Sequence, residues 1–163
     1  LTADDAEAYW PLRLEALKKN PEAFASSYEE AVAKEHPLAE TRTRLGVERN
    51  YTFGAFDGGA LVGTVVLVPE TAAKLRHKAN VFAMYVTPSY RSAGAGSALL
   101  RAVIKQARIS EEIEQLVLTV EANNRPAIKL YEAAGFRAFG TEPRSLKIAG
   151  RYHDEMHMVL FVK

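Results

Sequence analysis

The run Val86-Thr87-Pro88-Ser89-Tyr90-Arg91-Ser92-Ala93-Gly94-Ala95-Gly96-Ser97 constrains this chain more than any other stretch. Upstream of it, Lys78 to Val86 reads as a β-strand that Thr87-Pro88 brings to an end. Downstream, Ser97 to Ile109 carries Leu99, Leu100, Val103, Ile104 and Ala107 on one stripe, the spacing of an amphipathic helix. A strand, a glycine-bearing loop and a helix therefore follow one another without a break. The first amides of a helix have no intrahelical acceptor and carry the positive end of its dipole, so this junction suits a phosphate. Gly94 and Gly96 keep side chains away from those amides, and Arg91 places a cation at the rim. The same residues also make a plain glycine turn with a good helix start. Two familiar nucleotide loops are excluded. A P-loop needs Gly-Lys-Ser/Thr, whereas Gly96 precedes Ser97-Ala98, and a dinucleotide fingerprint needs a third glycine where Leu99 stands.

The remaining chain is organised around that junction. Thr2 and Asp5 form a loose capping box, and Ala6, Trp10, Leu14 and Leu17 then recur at helical spacing, which predicts a helix from about Ala3 to Lys19 stopped by Asn20-Pro21. Phe24 to Lys34 and Pro37 to Arg49 read as two further helical segments. Tyr51 to Phe56 and Ala60 to Val68 are β-rich runs joined by Asp57-Gly58-Gly59, a strong hairpin signal. Leu116 to Val120 is a short buried strand. Pro126 to Ala134 is a helix with proline in its first turn and Gly135 as its stop. Phe136 to Phe139 and His153 to Val162 are the last strands. Strands and helices in this order imply a mixed α/β (α+β) sheet flanked by helices, in one domain over residues 1–163. Residues 1–50 form a helical segment and residues 51–163 the core.

Among 163 residues, 21 Lys and Arg against 20 Asp and Glu leave a formal charge of +1, which gives no reason to expect a nucleic-acid or anionic-membrane partner. The absence of cysteine excludes a disulfide framework, a thiolate metal site and a cysteine nucleophile. No stretch is apolar enough to span a bilayer, and Leu1-Thr2-Ala3-Asp4-Asp5 has no signal-peptide pattern, so a cytoplasmic location is expected. With no initiator Met, the numbered chain is expected to begin a few residues inside the gene product.

A second segment carries the identity of the phosphate ligand. Asn124-Arg125-Pro126-Ala127-Ile128-Lys129-Leu130-Tyr131-Glu132-Ala133-Ala134-Gly135-Phe136 opens where a strand ends, with Asn124 able to cap the helix or bind an extended ligand. Ala127, Leu130, Tyr131 and Ala134 share a helical face that turns the Tyr131 phenol toward the sheet. Together the two segments resemble the GNAT superfamily of acetyl-CoA-dependent N-acetyltransferases. That family's pyrophosphate loop, Gln/Arg-x-x-Gly-x-Gly/Ala, is matched by Arg91-Ser92-Ala93-Gly94-Ala95-Gly96. Its later signature, Asn-x-x-Ala-x-x-Leu-Tyr-x-x-x-Gly-Phe, is matched by Asn124, Ala127, Leu130, Tyr131, Gly135 and Phe136.

The resemblance implies a mostly antiparallel central sheet in which Lys78 to Val86 splays from Leu116 to Val120, leaving a gap for the pantetheine arm. It assigns acetyl-CoA binding to Met84, Val86, Arg91, Ser92, Ala93, Gly94, Ala95, Gly96, Ser97, Asn124, Ala127 and Tyr131, with no metal. Tyr131 becomes the candidate general acid for the leaving thiolate, and the Val86 amide the donor to the thioester oxygen. The family's usual strand glutamate is missing from Val81-Phe82-Ala83-Met84-Tyr85-Val86, so the general base is sought among Glu29, Glu30, Asp154 and Glu155, with Glu155 taken as the candidate. His153 and His157 share a strand face with Glu155 and read as a surface or core pair. Tyr85 and Tyr152 are candidates for the acceptor pocket, and the basic run Lys74 to Lys78 for the 3′-phosphate of CoA. The acceptor would be a small-molecule or peptide amine. Dimers are common in that family, which leaves a homodimer open, and a non-catalytic acyl-CoA sensor is the rival function.

Overall fold

In the computed structural model, which describes residues 1–163, Gly58 and Gly59 both take positive φ, +53° and +86°. Two left-handed residues are what a two-residue hairpin of the strand-compatible hand requires. They join β1 (Tyr51–Asp57) to β2 (Ala60–Pro69). β2 in turn pairs antiparallel with β3 (Lys78–Val86). Along that pair the register steps from Val66↔Phe82 to Thr64↔Tyr85. One extra residue is thus accommodated around Ala83, whose φ is +50°. A bulge of this kind bends its strand and sharpens the local twist.

The bend is visible on the other edge of β3. Helix α4 (Ala95–Ile109) crosses over to β4 (Gln115–Glu121), which pairs parallel with β3 at Lys78↔Gln115, Ala79↔Leu116 and Asn80↔Val117 and nowhere beyond. β4 finds its continuous partner in β6 (Arg151–Phe161), from Gln115↔Phe161 to Glu121↔Glu155. β6 pairs with β5 (Arg137–Ile148) at the sheet edge. The six strands run β1-β2-β3-β4-β6-β5, with β3·β4 the one parallel pair, so the mostly antiparallel sheet with a splayed central pair is present as expected.

Helices cover both faces. Leu99, Leu100, Val103 and Ala107 of α4, with Ile128 and Tyr131 of α5 (Arg125–Ala133), pack onto Val65, Leu67, Leu116, Leu118 and Met158. On the opposite face Leu12 and Ala16 of α1 (Ala6–Lys19) pack against Tyr85, while Ala6 and Tyr9 meet Leu45 of α3 (Pro37–Leu45). These two partners widen the buried arc of α1 to Ala6, Tyr9, Leu12, Ala16 and Leu17. Trp10 and Leu14, expected on the stripe, lie at its half-buried border. No helix is long and apolar enough to cross a membrane.

Several boundaries differ from the expected ones. The second helix, α2, is Tyr28–Val32 and not Phe24 to Lys34. Ser27 sets its start by accepting from the Glu30 amide at 3.0 Å while Glu30 accepts from the Ser27 amide at 3.0 Å. α3 stops at Leu45, before Gly46, and not at Arg49. β5 runs nine residues past Phe139, to Ile148, because Ala149 and Gly150 (φ +47° and +81°) turn it into a second hairpin with β6. The Leu1 nitrogen donates to the Thr52 carbonyl of β1 at 2.5 Å.

Candidate active site

Where β3 and β4 part, a cleft of about 980 Å³ opens through the sheet. One mouth is the start of α4. Ser92 and Gly94 take left-handed φ of +68° and +86°, and the first helical bond runs from the Ala98 amide to the Gly94 carbonyl at 2.9 Å. The amides of Ala95, Gly96 and Ser97 precede that bond and are therefore free to bind an anion. A side chain at Gly94 would meet no atom within 4 Å but would have to adopt its φ of +86°. Gly96 is needed for a different reason. A Cβ there would stand 3.0 Å from Leu130 Cδ2 and 3.4 Å from Met84 Cε, so glycine lets α4 lie close to α5 and β3 as well as leaving its amide uncovered.

The free edge of β3 faces the gap. The Thr87 amide donates to the Val62 carbonyl of β2 at 2.9 Å, and successive residues of a strand present their polar groups to opposite edges. Val86 therefore faces away from β2, as does Met84 by the same alternation. An unpaired strand edge of this kind accepts an extended ligand bearing amides. The residue that departs from expectation is Arg91. Its Nε donates to the Val86 carbonyl at 2.9 Å and its Nη2 to Asn20 Oδ1 at 2.7 Å, with the guanidinium 5.6 Å from the Tyr85 ring centroid. This cation ties the strand end to the segment after α1 and does not stand free at the rim.

Met84, Val86, Arg91, Ser92, Gly94, Gly96, Ser97, Asn124, Ala127 and Tyr131 all line the cleft, as does Glu155. Ala93 and Ala95 belong to the same loop but do not line it. Asn124 caps α5, its Oδ1 accepting from the Ala127 amide at 3.2 Å. Tyr131 is buried edge-on to Phe136, with centroids 6.0 Å apart. Burial pushes its phenol above the ordinary tyrosine value, with no other group contributing, so the hydroxyl stays protonated and is held by no neighbour. Open amides, a free strand edge and a protonated phenol thus line one cleft.

A model of the acetyltransferase (GNAT) family matches residues 15–136. The chain belongs to that family. A GNAT-family acetyltransferase from Streptococcus pneumoniae superposes with a TM-score of 0.83 at 24% identity, covering 99% of this chain and 96% of that one. The acetyltransferase yncA from Salmonella typhimurium, solved with its cofactor acetyl-CoA, gives 0.81 at 20% identity, covering 100% and 91%. In sequence the chain is 30% identical over 100 residues to the L-amino acid N-acetyltransferase AaaT of Escherichia coli (strain K12), which is 61% of either protein. It is 28% identical over 131 residues to a mycothiol acetyltransferase of Corynebacterium glutamicum (strain R), covering 80% of this chain and 41% of that enzyme.

The structure of this GNAT chain separates the four candidate bases. Only Glu155 lines the cleft; its Oε2 accepts from Ser145 Oγ at 2.6 Å. Glu29 is exposed on α2, Glu30 is taken up in its capping box, and Asp154 accepts from the Arg144 amide at 2.8 Å. Directly across the strands from Glu155 stands Glu121, which lines the same cleft and is 6% exposed. Its carboxylate accepts from the Asn123 amide and side chain at 2.8 and 3.0 Å and lies 3.5 Å from His153 Nδ1. Glu121 was absent from the expected set because only the β4–β6 register brings it beside Glu155. His157 pairs separately with Glu142 at 3.3 Å. Tyr85 lines the cleft but Tyr152 does not. Nor does the run Lys74 to Lys78, which sits at the far end of β3, about 26 Å along the strand from Val86.

Proposed function

We propose that this protein transfers the acetyl group of acetyl-CoA to the primary amine of an acceptor, with both bound at once. The observation that carries this reading is the cleft that passes through the sheet, from the open α4 amides past Val86 and Tyr131 to the carboxylates Glu121 and Glu155. A passage of this kind supports two ligands meeting end to end, whereas a sensor of acyl-CoA would need one mouth only.

Acetyl-CoA supplies an activated thioester carbonyl and a thiolate leaving group. The α4 amides of Gly96 and Ser97 hold its pyrophosphate, and the free edge of Met84 and Val86 holds its amide-bearing arm. The Val86 amide donates to the carbonyl oxygen where negative charge develops. Glu155 takes the proton of the acceptor ammonium, leaving the lone pair that attack requires, and Glu121 beside it keeps that end of the cleft negative. Tyr131, protonated at neutral pH, gives its proton to the departing sulfur and regains one from the second proton that the attacked nitrogen sheds as the amide forms, so the single net proton leaves through Glu155. With no cysteine in the chain, no thiol acyl-enzyme intervenes.

A panel of amines incubated with acetyl-CoA and the protein, with release of free thiol followed, tests the reading. Amine-dependent thiol release and an acetylated product are expected. Tight binding of acetyl-CoA with no transfer to any amine would turn the assignment toward a sensor.

A further inference from the structure

The acceptor end of the cleft holds two arginines that no carboxylate answers. Arg13 of α1 and Arg44 at the end of α3 line both the cleft and a smaller adjoining hollow of about 210 Å³. The Arg13 guanidinium lies 4.6 Å from the Phe24 ring centroid, and that of Arg44 5.3 Å from the Tyr9 ring centroid. Stacking on a ring occupies the flat face of a guanidinium and leaves the N–H groups on its edge available. Arg42, two residues before Arg44, is paired with Glu7 at 3.0 Å, and the other ion pairs likewise pass these two by. The acidic residues of the hollow are engaged elsewhere, Glu30 with the Ser27 amide and Glu40 with Lys34. Burial lowers the Arg13 pKa; the Tyr9 phenol works against that and the like charge of Arg44 adds to it. Two cations without an ion-pair partner thus share one hollow, Arg13 half-buried and Arg44 exposed, and an anion bound between them would be drawn to both.

We propose that Arg13 and Arg44 bind a free carboxylate carried by the acceptor, which makes the acceptor an amino acid or a closely related amine bearing a carboxylate. This rests on the acetyltransferase reading above. The planar, edge-donating geometry of two guanidinium groups matches a carboxylate and has nothing to offer a polyamine or an aminoglycoside, both of which are cationic throughout. The rest of the cleft lining reinforces the assignment. Glu121 and Glu155, neighbours across β4 and β6, line the same cleft, so it offers cations from α1 and α3 and carboxylates from the sheet. A ligand with an ammonium at one end and a carboxylate at the other is oriented by such a lining, with its nitrogen toward the base.

The test compares L-amino acids with their carboxamides as acceptors for the full chain, beside spermidine and a peptide with a free N-terminus. The carboxamide amine is the less basic of each pair, so a preference for the acid cannot come from amine ionisation. Acids are expected to exceed their amides in kcat/KM by about tenfold or more, as charge-assisted hydrogen bonds provide. Arg13→Gln and Arg44→Gln are each expected to pull that ratio toward one, mainly through KM. Arg44 is exposed, so Arg44→Gln keeps the test valid should Arg13→Gln fail to fold. Amides, spermidine or peptide matching the acids, or a ratio undiminished in both variants, would overturn the inference and leave the acetyltransferase reading standing. If no amine is acetylated, that reading falls, and N-acetyl amino acids titrated into the CoA-saturated protein still interrogate the hollow. Binding that Arg44→Gln abolishes supports the carboxylate site, and absence of binding overturns it.

Discussion

Tyr131→Phe removes one oxygen from the cleft and leaves the scaffold around it in place. The ring is 7% exposed and stays packed against Ile128 and Phe136, the latter edge-on at 6.0 Å and 65°. Burial is the sole cause of the raised phenol pKa, so the hydroxyl has no protein partner that its loss would orphan. Stability is therefore expected to change by less than about 1 kcal/mol, and affinity for CoA by no more than a few-fold. The rate should behave differently. A positioned general acid contributes about 10²–10⁴-fold, and water entering the open cleft can replace part of that, so kcat is expected to fall about 10²-fold, or about 2.7 kcal/mol of barrier. Steady-state kinetics on an identified amine, calorimetric CoA affinity and a thermal midpoint together make the measurement. A kcat within about twofold of the parent, at a pH where chemistry limits the rate, would reduce Tyr131 to a packing residue. An equal loss of CoA affinity would show that the ring, and not its hydroxyl, had been disturbed.

Four further predictions probe the rest of the argument. Gly96→Glu puts a negative side chain among the open α4 amides and against Leu130, and should weaken CoA binding by at least about tenfold in calorimetry; unchanged affinity would remove the loop from the site. Activity should rise with pH as the acceptor amine loses its proton, and Glu155→Gln should lower kcat/KM about 10²-fold, far more than Glu29→Gln, Glu30→Gln or Asp154→Asn, which lie off the cleft; four identical pH–rate profiles would refute the base assignment. Burial pushes the Glu15 carboxyl up, but the Tyr85 hydroxyl that donates to it at 2.8 Å, the nearby Thr87 side chain and the charge of Lys19 outweigh it and hold the pKa below its ordinary 4.5. Glu15 thus stabilises the fold above that pH and ceases to as the pH falls through its lowered value, so Glu15→Gln should flatten the acid side of a denaturant-derived stability profile. Thr64 Oγ1 is buried with no partner, and Thr64→Val should be neutral to about 1 kcal/mol stabilising in chemical denaturation, a larger loss showing that the hydroxyl is satisfied after all.

What could be read in advance of the fold follows from where its signals are local. Gly58-Gly59 and Gly135 mark positions whose positive φ is a property of a few adjacent residues, and the α4 stripe is a periodicity within one helix. β5 offers no such signal. All of its first eight residues are exposed, so no apolar alternation marks it, and its pairing with β6 twice shifts register. Its length depends on the Ala149-Gly150 turn, where alanine stands at a left-handed position that residue type does not advertise. The short α2 is a related case: helical spacing continues through Phe24 to Ser27, but the Ser27–Glu30 capping box overrides it.

The phosphate-loop end of the cleft is local in the same sense, because loop and helix start are contiguous and their amides point where the backbone sends them. The part lined by Glu121, Glu155, Arg13 and Arg44 is assembled by register and packing. Glu121 and Glu155 are 34 positions apart in the chain and adjacent only because β4 and β6 pair as they do. Arg13 and Arg44 meet only because Ala6 and Tyr9 pack on Leu45 and bring α1 against α3. Arg91 joins the two parts: at the signature position of the phosphate loop, it reaches back to the Val86 carbonyl and across to Asn20, the residue that ends α1. Through Tyr85, whose hydroxyl donates to Glu15 at 2.8 Å, the same strand end is fastened to α1 from the other side. The place where β3 leaves β4 is thus held by residues of the phosphate loop and of α1 together, and a shift of either would move the gap between them.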